Sequence, residues 1–215
     1  MTNIIPRIYP ILDDSFLPKD GRPGFLDRLG RSLAEAGVTL LEYRNKPGTD
    51  AEVLEDARVL RVAMPAGQVR LVMDDRVDVA LAAGFDGVHV DAGDLAVPDA
   101  RRLLGAGRIV GTSAGDEAQL IAGLASPVDY VAFGPVFRTT TKQTSLAPMG
   151  IEGVRQFRSV AGVDAVLVAA AGITLETAAA VLQNGASAVA VAAAIFQKDD
   201  PAAEFRRWIA ALEQG

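Results

Sequence analysis

The chain has 215 residues, 50% of them hydrophobic but only 6% aromatic, and carries a net charge of −6 at neutral pH. That length allows one large domain or two small ones, with ample apolar material for a core. Acidity spread along the chain without a basic run argues against nucleic acid as a partner, and the lack of cysteine removes disulfides, thiolate ligands and thiol nucleophiles together. No apolar run is long enough to span a membrane, and Met1 to Arg7 hold no leader-like apolar core, so a cytoplasmic protein is expected.

Short β-branched runs alternate with amphipathic segments along the chain. The first predicted strand is Ile8–Leu12. Phe25, Leu29, Leu33 and Ala36 then recur at helical spacing and stop at Gly37. A second strand, Thr39–Tyr43, precedes Thr49 and Glu52, which read as a capping box for a helix running to about Met64, where Pro65 ends it. Strand three is Arg70–Met73, and a helix over Val77–Ala83 leads to Gly84. Strands four to eight fall at Gly87–Val90, Ile109–Thr112, Tyr130–Phe133, Ala165–Ala169 and Ala188–Ala192. A helix over Thr174–Leu182 leads to Gly185, and a last one opens at Asp200-Pro201 with Phe205, Trp208, Ile209 and Leu212 on one face.

A faint internal repeat runs through these elements. Segments 36–41, 83–90 and 184–191 share one plan of helix end, glycine, short linker and strand. Eight such units predict an α/β protein built as a single (β/α)₈ TIM barrel, one domain over residues 1–215. A doubly wound open sheet would carry a glycine-rich fingerprint after its first strand. Here that position reads Asp13-Asp14-Ser15-Phe16.

In such a barrel the residues just past each strand converge on one mouth. Strand two delivers Glu42, Arg44 and Lys46, strand three Asp74 and Asp75, strand four Asp91 and Asp94, and strand five Ser113. Strand six opens into Gly134-Pro135-Val136-Phe137-Arg138-Thr139-Thr140-Thr141-Lys142. Lys46 and Lys142 are two of only four lysines, and an ammonium beside hydroxyl donors suits phosphate oxygens. Strands seven and eight end in Ala170-Ala171-Gly172 and Ala192-Ala193-Ala194, where small side chains let an anion approach backbone N–H groups. Carboxylates on neighbouring strands suit Mg²⁺, and cations around one pocket suit a pyrophosphate leaving group. Two residues also have plainer readings. Asp75 is equally placed to cap a helix, and His89, the only histidine, reads as a hydrogen-bonded core residue.

The motifs resemble those of the thiamine phosphate synthase family over most of the chain. Its Q-x-R-x-K is similar to Glu42-Tyr43-Arg44-Asn45-Lys46, and its N-D-R-x-D to Asp74-Asp75-Arg76-Val77-Asp78. D-G-V-H-x-x-x-x-D runs from Asp86 to Asp94, G-V-S reads Gly111-Thr112-Ser113, and G-P-V-F-x-T-x-T-K is matched from Gly134 to Lys142. The resemblance implies a transferase joining hydroxymethylpyrimidine diphosphate to thiazole phosphate with release of pyrophosphate. The pyrimidine C–O bond breaks first, and the thiazole nitrogen captures the cation. By position, Asp75 and Asp94 would bind Mg²⁺, while Arg44, Lys46, Ser113 and Lys142 would hold the diphosphate. Thr139, Thr141 and the amides near Gly172 and Ala192-Ala193 would hold the thiazole phosphate. These small phosphorylated substrates are the expected partners, with neither nucleic acid nor membrane, and a homo-oligomer is compatible with this reading.

The chain departs from the family at several positions. Glutamine and asparagine that face the substrate are replaced by Glu42 and Asp74, I-G-G-I reads Ala170-Ala171-Gly172-Ile173, and the serine of the last phosphate loop is Ala193. Each new carboxylate adds charge beside a diphosphate. At about 4 Å and an effective dielectric near 20, the repulsion is on the order of 4 kcal/mol per contact. A working site then needs an added cation or a carboxyl kept neutral, and restoring both amides is expected to raise kcat/KM. Two other readings stay open: a thiazole-phosphate-binding or tautomerase-like relative, although the tautomerase histidine near Gly115 is missing, and a non-catalytic barrel that keeps the phosphate site.

Overall fold

The computed structural model describes residues 4–139 and 146–213. Eight parallel strands close into a barrel in chain order: β1 (Ile8–Asp13), β2 (Leu40–Arg44), β3 (Arg70–Asp74), β4 (Gly87–Val90), β5 (Ile109–Ala114), β6 (Tyr130–Phe133), β7 (Leu167–Ala169) and β8 (Ala188–Val191). β8 returns to β1 with Ala190 opposite Tyr9, which closes the ladder. Around the barrel lie α1 (Arg22–Glu35), α2 (Asp50–Ala63), α3 (Val77–Ala83), α4 (Val97–Leu104), α5 (Glu117–Leu124), α6 (Gly150–Ala161), α7 (Leu175–Gln183), α8 (Ala193–Phe196) and α9 (Pro201–Glu213). No helix among the described residues is long and apolar enough to cross a membrane.

Every predicted strand forms, with shifted ends. β1, β2, β3 and β5 run on into Asp13, Arg44, Asp74 and Ser113-Ala114, because backbone pairing continues where the apolar pattern stops. β7 starts at Leu167, two residues later than the pattern predicts, and β8 ends at Val191 rather than Ala192. The capping box at α2 is present, with the Thr49 amide donating to Glu52 Oε2 at 2.8 Å. Asp75 does not cap α3: the capping position is Arg76, which makes no side-chain cap bond. α4, α5 and α6 fill gaps in which the sequence pattern set no helix bounds, and α8 is a single turn following Ala192 with no capping side chain.

Side chains alternate across each strand, so every second residue points into the barrel. One buried cluster joins Tyr9, Leu40, Val72, Ile109, Tyr130 and Val168 inside the barrel, while the larger one lies between sheet and helices. The loops that enter the strands share a structural device at the opposite end from the mouth. Arg61 donates to Asp86, which accepts the Leu71 amide at 2.8 Å, and Arg101 donates to Asp129, which accepts the Val110 amide at 2.8 Å. Arg158 and the Leu167 amide meet on Ser187 Oγ in the same way. A helix arginine and a loop acceptor thus clamp the start of three neighbouring strand pairs.

Gly111 makes room for Tyr130. A Cβ at this position would lie 2.1 Å from the Tyr130 ring, and the two residues are paired across β5 and β6. Gly111→Ala should therefore displace the ring and destabilise the fold by about 1–3 kcal/mol, as overpacking of a filled core does. Urea unfolding of the variant beside wild type measures this, and an unchanged midpoint would refute it.

Candidate active site

The C-terminal ends of the strands surround a cavity of about 600 Å³. Eight of the residues given a substrate-binding or catalytic role line it: Glu42, Arg44, Asp74, Ser113, Thr139, Gly172, Ala192 and Ala193. Lys46 and Asp75 stand beside that wall through contacts with Asp74 and with each other. Asp94, on the exposed loop after β4, accepts the Asp91 amide at 2.8 Å. Thr141 and Lys142 lie outside the described residues.

The large interior side chains Tyr9 on β1 and Tyr130 on β6 share a cluster with Ala188 and Ala190 on β8 and with Ala170 just past β7. That asymmetry places the open volume above the small residues. Gly172 has φ 70° in the loop after β7, and a Cβ there would meet the Arg138 carbonyl oxygen at 2.4 Å. Ala171 beside it has φ 73°, a conformation costing a residue with a Cβ roughly 1–2 kcal/mol. The family's glycine at this position has a backbone reason, and this chain tolerates alanine at some strain. The loop is held by amides of the strand-six loop, with Val136 donating to the Ala170 carbonyl at 2.9 Å and Phe137 to that of Ala171 at 3.1 Å.

The acidic residues of the mouth are arranged in two groups. Asp74 is only 7% exposed. Its Oδ2 lies 2.9 Å from Lys46 Nζ and 3.6 Å from Arg44 Nε. Arg44 also pairs with Asp13, and Lys46 with Asp75. Burial holds the Asp74 carboxyl above its ordinary range, with Lys46 pulling it back. Asp75 adopts φ 63°, unusual outside glycine but tolerated by aspartate, and its amide donates to the His89 carbonyl at 2.8 Å. Asp75 Oδ1 is buried with no hydrogen-bond partner among the described residues. Burial and the nearby Asp75 carboxylate raise the Asp94 acid.

The second group runs across the barrel floor. Tyr9 donates to Glu42 Oε2 at 2.7 Å, the Tyr9 and Tyr130 hydroxyls lie 2.6 Å apart, and Tyr130 meets His89 Nδ1 at 2.9 Å. His89 Nε2 reaches Ser113 Oγ at 2.8 Å and Asp91 at 3.4 Å. Burial lifts the Glu42 carboxyl to about 7; His89 limits the rise and Asp74 adds to it. His89 is thus hydrogen-bonded, as its mid-strand place suggested, but it also lines the cavity. Tyr9, Asp13, Tyr130 and Arg138 are cavity residues that the sequence reading passed over. For the two tyrosines and Asp13 the signal was the two-residue period within strands, which carries them inward with their neighbours. Arg207, on α9, also lines the cavity.

Both remedies required by the charge argument are present, cations beside Asp74 and a raised carboxyl at Glu42. They also revise the expectation for the double amide variant. Asp74→Asn would take a carboxylate from Lys46 and Arg44, whereas Glu42→Gln removes no ion pair to either cation.

The chain is thus a closed (β/α)₈ barrel whose mouth gathers Arg44, Ser113 and the small-residue loops after β7 and β8, with Lys46 beside them. The chain matches the family model described as thiamine monophosphate synthase over residues 8–195, and it belongs to that family. A thiamine-phosphate synthase of Koribacter versatilis is 40% identical over 189 residues, covering 88% of each chain. One of Agrobacterium fabrum is 41% identical over 175 residues, covering 80% of each. Among solved structures, thiamine phosphate pyrophosphorylase from Pyrococcus furiosus superposes with a TM-score of 0.82 at 26% identity, over 97% of this chain and 96% of that one.

Glu42 makes stability depend on pH. Its folded value of about 7 lies above the ordinary 4.5, so the unfolded chain releases the proton first. The contribution is full below about pH 4.5 and is lost as pH rises through about 7. The melting temperature of Glu42→Gln minus that of wild type should therefore grow between about pH 5 and pH 8. A difference that stays flat with pH would contradict the assignment.

Proposed function

We propose that this chain is a thiamine-phosphate synthase, acting through one barrel domain over residues 1–215. It is a transferase of thiamine biosynthesis that joins hydroxymethylpyrimidine diphosphate to thiazole phosphate and releases pyrophosphate. The observation that carries this reading is the gathering of Arg44, Ser113 and Thr139 with the Gly172 and Ala192-Ala193 loops around one cavity, in a chain of this family.

Arg44, Lys46, Ser113 and Lys142 hold the diphosphate in this reading, and Glu42 and Asp74 face the pyrimidine. Thr139, Thr141 and the amides of Gly172, Ala192 and Ala193 hold the thiazole phosphate. The C–O bond to the diphosphate breaks with its electron pair leaving on oxygen, and the thiazole nitrogen adds to the resulting cation. The protein's task is to fix both reactants in line and to stabilise the leaving charge, which needs no protein nucleophile. Asp75 and Asp94 would hold Mg²⁺, which supplies positive charge to the departing pyrophosphate. The donors fit such an ion: Asp75 Oδ1 is buried and without a hydrogen-bond partner among the described residues, and the Asp75 carboxylate raises the acid of Asp94. Among the described residues no three His, Asp or Glu side chains form a metal cluster, so phosphate oxygens and water would complete the shell.

Pyrophosphate release tests the function. Wild type should release it only with both substrates and Mg²⁺ present, whereas binding of thiazole phosphate without turnover would favour the binding-module reading. Asp75→Ala and Asp94→Ala should each abolish Mg²⁺-dependent pyrophosphate binding in calorimetry with the thermal melt retained, and unchanged affinity in both would reject the metal assignment. A crystal grown in sulfate should show an anion near Thr139 or the Gly172 amide. An ordered, anion-free pocket there would count against the phosphate site.

A further inference from the structure

The chain of contacts on the barrel floor can carry a proton in either direction. With Glu42 ionised and His89 doubly protonated, each donor points toward Glu42: Nδ1–H to the Tyr130 oxygen, Tyr130 to Tyr9, and Tyr9 to Glu42 Oε2. With Glu42 protonated and His89 neutral, the same three contacts point toward His89. The two arrangements have the same total charge and differ only in where that charge stands. One end of the chain is Glu42, assigned above to the pyrimidine. The other is His89, bonded to Ser113, assigned above to the diphosphate.

We propose that Glu42, Tyr9, Tyr130 and His89 form a proton relay across the barrel floor, which carries one proton from the pyrimidine end to the diphosphate end as the C–O bond breaks. The proposal rests on the coupling reaction assigned above. Before cleavage the neutral pair places no charge beside the incoming diphosphate. During cleavage Glu42 Oε2 gives its proton to the Tyr9 oxygen, Tyr9 passes its own to Tyr130, and Tyr130 passes its own to His89 Nδ1. His89, which carries its other proton on Nε2, becomes imidazolium, and each tyrosine ends with one proton as it began. The C–O electron pair leaves on the diphosphate, so a carboxylate now faces the pyrimidine cation and an imidazolium stands at the diphosphate end. The reverse transfer resets the site after release, and no co-reactant is required.

The surroundings favour this sharing. Burial lifts Glu42 to about 7, into the range of an imidazole. For His89 burial opposes the charge, but contacts with Asp91 and Glu42 outweigh it and raise the imidazole above its ordinary value. The groups facing the pair are Tyr9 and Asp13 from β1, Arg44 from β2, Asp74 from β3, Asp91 past β4, Ser113 from β5 and Tyr130 from β6. The imidazole ring touches Tyr130, Ser113 and Asp91, while the His89 carbonyl accepts the Asp75 amide, so the relay stands on the contact distances along the barrel floor. Tyr9 and Tyr130 act through their neighbours and are positioning residues.

Tyr130→Phe and Tyr9→Phe each break the relay and leave both ends in place. Each should lower kcat for pyrophosphate release about a hundredfold, the scale of a lost proton transfer, with KM for the pyrimidine diphosphate changed by less than about threefold. The solvent deuterium effect on kcat should disappear with it. Wild-type kcat and pH profile in both variants, with melts confirming their folds, would overturn the relay. His89 is the only histidine, so nitrogen-15 histidine labelling reads its protonation without assignment work and without turnover. Glu42→Gln and Tyr130→Phe should each shift its titration midpoint and its tautomer, and identical titrations in all three proteins would also overturn the relay. If wild type releases no pyrophosphate, the synthase reading fails and the relay with it, whereas release by wild type at a rate unchanged in both tyrosine variants overturns the relay and leaves the synthase reading standing.

Discussion

A carboxylate withdrawn from water must be paired or protonated, and the mouth of this barrel holds Asp13, Glu42 and Asp74 at no more than 7% exposure. The chain uses both solutions within a few ångströms. Asp13 and Asp74 share Arg44, and Asp74 also has Lys46, while Glu42 has no cation as a direct partner among the described residues and is raised toward neutrality among phenols. Much of the rest of the site follows. The cations are committed in advance, the tyrosines must sit within reach of Glu42, and β5 needs a glycine to admit Tyr130.

The same logic extends behind the sheet. Tyr43, between Glu42 and Arg44 in sequence, points away from the cavity and donates to Asp56 Oδ2 at 2.5 Å. Arg22 donates to the same oxygen at 2.7 Å, so a buried polar knot ties α1 and α2 to the back of β2. Such a knot is worth more fully satisfied than in parts, because any member left alone would be a buried polar group without a partner. Its consequence at the front is a fixed β2, and with it a fixed relation between Glu42 and Arg44.

The departures from the family pattern sort by mechanism. Where alanine replaces glycine at position 171, the backbone keeps a left-handed turn at a cost. Where alanine stands at 193, the proposed thiazole phosphate would be held there by backbone groups alone. Where acids replace amides, the response is electrostatic and differs between the two: Asp74 gains two cations, and Glu42 gains a raised affinity for its proton.

The barrel was legible in the sequence because local pattern dictates it: eight apolar runs of strand length alternate with amphipathic segments, several of which end at glycine, and closure follows from the count. The exits of strands two to six were legible for the same reason, since a strand's end fixes where its next residues point. What the sequence alone left undecided were contacts between residues distant in the chain. That Asp75 turns to Lys46 rather than capping α3, that Tyr9 meets Tyr130 across 121 positions, and that His89 joins Glu42 to Ser113 depend on the packing of a closed barrel interior. Local propensity carries no information on those distances, so whether a carboxyl there is charged, paired or protonated was decided only when the tertiary structure brought its neighbours together.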